Sequence, residues 1–178
     1  MATQTQTQTG LHPTTERSRD QVMVRAYSEG IRAGLVGAAT IAVWFALIDG
    51  LQGHWFHTPT VLGTAVFRGG AGLDHPETLQ PSLEMVLSFT WIHLLAFLLI
   101  GMAVALLLVQ AENNSHFGFG ILLLFAIFEF GFVAICMLFA APVLEALAWP
   151  AIVVGNMLAA IAMAVTFWRG HRHLRMQP

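Results

Sequence analysis

The sixteen residues from Ala33 to Ile48 carry no charge. With the flanks Ile31 to Leu51 they form an apolar segment long enough to cross a hydrocarbon core of about 30 Å as a helix. Three further apolar runs follow, at about 83–109, 117–140 and 149–168. Four such runs leave little room for a soluble fold. Charged residues make up 10% of the chain and apolar residues 56%, where soluble domains carry about 25% charged residues. The links 110–116 and 141–148 are short, so consecutive spans are expected to be antiparallel neighbours. The predicted fold is all-α, an integral membrane four-helix bundle with one short interfacial helix. That helix is placed at Pro59–Arg68, because Thr58 can cap it and Pro59 suits its first position. Val61, Leu62, Val66 and Phe67 give it one apolar face.

Within the first span, Gly30, Gly34, Ala38, Ala42, Ala46 and Gly50 recur at i+4 spacing. In a helix this row makes a slowly turning ridge with almost no side chain on it. Such a ridge lets a second helix come close where lipid removes any hydrophobic reason for helices to associate. The row is therefore predicted to be a helix-packing face.

The ends of the chain differ in character. Residues 1–29 comprise a Thr/Gln-rich stretch to about Asp20, expected to be disordered, and a lead-in helix at Gln21–Glu29. Residues 30–168 form the four-span membrane domain, and 169–178 a basic tail. Seven of the eight arginines precede the first span or follow the fourth, and only Arg68 lies between them. The positive-inside rule then puts both termini in the cytoplasm. A formal net charge of −2 and the absence of lysine argue against a nucleic-acid partner. The lone Cys136 excludes an intrachain disulfide framework and reads as inert packing.

Ionisable and amide groups inside spans are costly, so each is a candidate. His93, Glu129 and Asn156 come one from each of the last three spans, and Asp49 stands near the outer end of the first. At 1.5 Å per residue they suggest an interior polar cluster open to the exterior through Asp49. It reads either as a structural clamp of mutually satisfied groups or as a proton relay or small-ligand site. Outside the span, the spacing His54-x-x-His57 allows a shared metal, with Asp or Glu completing a zinc-like set; the same histidines beside Trp55 and Phe56 also read as headgroup anchors. Di-iron and bis-histidine haem sites lack the required ligands, and no nucleophile–base or phosphate-loop motif appears. No cofactor is expected, with haem, metal or quinone binding as the alternative.

The run WFALIDGLQGHWFHTPTVLGTAVF, with FEFGF and GNMLAA, resembles a loose set of small, uncharacterised bacterial four-span inner-membrane proteins. The resemblance implies a bacterial inner-membrane location and four spans, and it carries no activity, cofactor or site residue. The functional expectation is a non-catalytic accessory or scaffold subunit of a larger membrane assembly, in contact with the lipid bilayer and with other membrane subunits or further copies of itself. The alternative is an oligomeric transport or proton-conducting protein.

Overall fold

The computed structural model describes residues 13–73, 75, 78–113 and 149–170. Among them the chain is all-helical: α1 (Pro13–Leu51), α2 (His57–Phe67), α3 (Leu83–Asn113) and α4 (Trp149–Gly170). Three stretches are long and apolar enough to cross a membrane: Asp20–Leu51, Leu83–Ala111 and Pro150–Gly170. They correspond to the first, second and fourth spans expected above. The expected third span, 117–140, lies outside the described residues, as does the tail after Gly170.

α1 is one unbroken helix of 39 residues. It begins inside the stretch expected to be disordered and runs through the expected lead-in helix without a break. Pro13 at its first position suits a helix start, since the missing N–H has no partner to lose there.

Both other long helices pack on α1. A side chain added at Gly34 would lie 2.5 Å from Phe97 O and 2.9 Å from Leu98 Cα; one added at Gly30 would lie 2.8 Å from Gly101 O and from Met102 Cα. A side chain at Gly101 would in turn run into Gly30 O. The two backbones are therefore in direct contact. As residue numbers rise along α1 they fall along α3, so the pair is antiparallel. α4 is antiparallel to α1 as well. Arg25 Nη2 donates to Gly170 O at 3.0 Å at one end, and Trp44 Nε1 donates to Ala151 O at 2.8 Å toward the other. Between them Gly37 admits both Phe97 and Met163, and Gly155 admits the Trp44 ring.

The buried face of α1 is Ala26, Gly30, Ala33, Gly34, Gly37, Ala38 and Ile41. The first three members of the i+4 row, Gly30, Gly34 and Ala38, belong to it. Ala42 and Ala46 are exposed among the described residues, and Gly50 meets the Trp55 ring. The reason is the helix period: a strict i+4 row advances about 40° at each step, so by Ala46 it has turned well away from Gly30. The packing stripe instead alternates steps of three and four. Hydroxyls on the spans are satisfied locally, with Thr40, Thr90 and Thr166 donating to Val36 O, Val86 O and Ala162 O at 2.6–2.8 Å. Where no water can pair with them, bonding back to the preceding turn removes the cost of burying them.

Gly34→Leu is expected to destabilise the chain by about 1–3 kcal/mol or more through overpacking. Ala46→Leu is expected to leave stability within about 0.5 kcal/mol, as exposed positions do. Equilibrium unfolding by sodium dodecyl sulfate in mixed micelles checks both.

Candidate functional site

The most elaborate polar arrangement among the described residues lies where α1 ends and α2 begins. Asp49 is 2% exposed. Its Oδ2 accepts the Thr58 backbone N–H at 2.8 Å, and its Oδ1 accepts the Thr58 hydroxyl at 2.6 Å. A helix leaves its first N–H groups without intrahelical partners, and in α2 those of His57 and Thr58 find partners outside the helix. His57 N–H donates to His54 O at 3.1 Å, Thr58 N–H to Asp49, and Thr60 N–H to Phe56 O at 3.2 Å; Pro59 has no N–H. Asp49 thus supplies from the preceding helix the oxygen that a capping residue normally supplies, and a carboxylate there also suits the positive end of the helix dipole. Thr58, expected to cap the helix, is instead its second residue and donates its own hydroxyl to Asp49.

The chain reaches this geometry through a tight reversal. Gly53 has φ 76° and Phe56 has φ 64° and ψ 17°. The left-handed region is unusual for a bulky residue, and the contacts on either side of Phe56 hold it there. Trp55 lies over Gly50 while Thr58 is tied to Asp49. Further along, Gly63 approaches Met85 O so closely that an added side chain would lie at 2.5 Å. Thr60 Oγ1 accepts Ser82 N–H at 3.3 Å. Val61, Leu73 and Ile152 form a small core packed against Phe45, Leu62, Ala65 and Leu79. α2 therefore covers one end of the bundle, joined to α1, α3 and α4. Past α2, Gly69 and Gly70 take φ 57° and 79°, and Arg68 meets Glu84 at 3.3 Å in an exposed pair worth at most about 1 kcal/mol.

Of the four residues expected to form one polar cluster, His93 and Asp49 lie well apart in the described structure. His93 sits on α3 with its ring centroid 5.8 Å from that of Phe89 and 4.8 Å from that of Phe97. Its Nε2–H points at Ala38 O over a long 3.4 Å. Asp49 is eleven residues further along α1 than Ala38, about 16 Å away along the axis, and its oxygens belong to Thr58. Asn156 is half-buried on α4, next to the Gly155 that receives Trp44. Glu129 lies outside the described residues.

His54 and His57 are the first and last residues of a hydrogen-bonded turn, with ring centroids 6.2 Å apart. No group of three His, Cys, Asp or Glu that could hold a metal is found among the described residues. A zinc-like set needs further protein ligands beside this pair.

Several residues that shape this architecture escaped the sequence reading, namely Gly37, Gly63, Gly101, Gly155 and the pair Trp44–Ala151. A signal for two of them was available. Gly101 and Gly155 are the only glycines in the runs 83–109 and 149–168, and a glycine ridge on one span calls for a small residue on its neighbour.

Comparison of the chain with family models, with curated proteins and with solved structures found no match.

Asp49→Ala and Thr58→Val are each expected to cost about 1–3 kcal/mol, because each leaves a buried partner unsatisfied. The double variant is expected to cost clearly less than the sum, since both remove the Thr58 hydroxyl bond to Asp49 Oδ1. A double-mutant cycle measured by unfolding in mixed micelles checks this, and strict additivity would show that the two side chains act independently.

Proposed function

We propose that this chain is a small four-span membrane protein that serves as a non-catalytic accessory or scaffold subunit of a larger assembly in the bacterial inner membrane. The observation that carries the reading is the use made of Asp49: the most deeply buried carboxylate among the described residues fastens α2 across the end of the bundle. The surface offered to a neighbour is the outward side of α3 around Trp91, Leu95 and Leu99, all exposed. Trp91, 69% exposed about 12 Å beyond the start of α3, is the kind of large side chain that anchors subunit contacts.

Two observations support the four-span arrangement. α3 and α4 both run antiparallel to α1, so the end of α3 and the start of α4 lie at opposite ends of the described helices. The intervening residues include the apolar run Phe117–Ala140, about 36 Å long as a helix. Arg25, Arg32 and Arg169 gather at the opposite end from α2, which supports cytoplasmic termini.

The test is native mass spectrometry of the protein extracted from its own membranes in a mild detergent. Additional subunits in stoichiometric amount are the expected result, and a bare monomer overturns the reading. A second reading, an oligomeric transport or proton-conducting protein, is favoured by one observation: an imidazole, His93, inside the bundle against a backbone carbonyl. On that reading His93→Ala and Glu129→Gln abolish proton flux in proteoliposomes, whereas an accessory subunit alone conducts no more than empty vesicles.

A further inference from the structure

α2 is inside out. Its buried positions are Thr58, Thr60, Val61, Gly63 and Thr64, so its protein-facing side is rich in threonine. Its two exposed positions are Val66 and Phe67, and its half-exposed positions are Pro59, Leu62 and Ala65 together with His57. The turn leading into it exposes Trp55 and Phe56. A helix lying in water shows the reverse pattern, with apolar residues toward the protein and polar ones outward. The inversion is stable because each inward hydroxyl has a local partner. Thr58 donates to Asp49, Thr60 to Phe56 O at 2.7 Å, and Thr64 to Thr60 O at 2.8 Å.

We infer that α2 and its leading turn are immersed in the acyl-chain region of the leaflet they face, with Trp55, Phe56, Leu62, Val66 and Phe67 in contact with lipid tails. Three observations select lipid as the occupant. Arg68 meets Glu84, which sets the C-terminal end of α2 beside the first turns of α3. The exposed Leu83 and Leu87 there continue the same apolar surface onto a helix long enough to span a bilayer. On the inner side, Val61 packs with Phe45 and Ile152, about one helical turn deeper along α1 than Asp49. The polar exposed groups Gln52, His54, Arg68 and Glu84 then mark the headgroup level. The helix lies just beneath it, at the depth of about 5–10 Å that interfacial helices reach.

The inference rests on the membrane embedding of the long helices and not on the accessory-subunit reading. The test uses the full chain carrying Cys136→Ser, with single cysteines introduced as Phe56→Cys, Val66→Cys and Phe67→Cys. Each variant is labelled with a nitroxide and reconstituted alone in phosphatidylethanolamine–phosphatidylglycerol vesicles. Electron paramagnetic resonance then compares label collisions with oxygen, which concentrates in the acyl region, and with a water-soluble nickel chelate. Leu87→Cys and His54→Cys supply the lipid and headgroup references. The expected result is an oxygen-to-nickel ratio at all three positions close to that of Leu87 and several-fold above that of His54. A ratio like that of His54 overturns the inference by placing α2 in water. Low collision rates with both agents overturn it by showing protein rather than lipid over the helix. A water-like ratio at Leu87 as well overturns the embedding itself, which separates that failure from the first two.

Discussion

Backbone contact between α1 and α3 sets the geometry of the rest. In a lipid environment apolar side chains gain nothing by leaving lipid for protein, so helices are held by close packing and by polar bonds. Gly30, Gly34 and Gly101 remove the side chains that would keep the two axes apart, and many small dispersion contacts then add up. With α1 and α3 locked at this register, the end of α1 at Asp49 and the start of α3 near Ser82 come to the same level. That coincidence gives α2 its seat: Thr58 reaches Asp49 on one side, and Gly63 and Thr60 reach Met85 and Ser82 on the other. α4 joins through a different device, an indole laid against Gly155 and bonded to Ala151 O.

The end of the bundle at α2 concentrates polar groups without leaving any unsatisfied. Among the described residues no buried side-chain nitrogen or oxygen lacks a hydrogen-bond partner. Asp49 is the extreme case. Burying a carboxylate is expensive unless its oxygens are bonded, and one threonine satisfies both oxygens through its main chain and its side chain. The same bonds cap α2, so one interaction closes the turn, terminates the helix and fixes where the apolar side chains of α2 point. The opposite end is built differently, with Arg25 bridging Glu29 at 2.9 Å and the last carbonyl of α4.

Much of the fold was legible because span length and charge are one-dimensional properties. A run such as Ala33–Ile48 can be counted, and the cost of leaving backbone groups unpaired in lipid makes a helix of it. The short helix after Thr58-Pro59 was legible from local chemistry, displaced by two residues at its start because a side chain from α1 does the capping. The candidate site was less legible. The polar residues were compared by depth alone, and depth does not say which way a side chain points. Asp49 turns toward its own following turn, and His93 toward a backbone carbonyl of α1. The small-residue row was read as one slowly turning ridge; the 3.6-residue period turns its later members, Ala42 and Ala46, away from the face that meets α3 among the described residues.

The sequence by itself determined that this is a helical chain with long apolar segments, that glycine and alanine on the first of them would meet a neighbour, and that an additional short helix follows it. These depend on composition and spacing within single segments. Only the tertiary structure decided which glycine faces which, that α1 is the helix on which both α3 and α4 pack, and that Asp49 serves α2. Those outcomes depend on the relative rotation and register of separate helices. Register is chosen by the fit of whole surfaces, where moving one helix by a single residue turns every side chain by about 100°, and no local pattern in the chain encodes that choice.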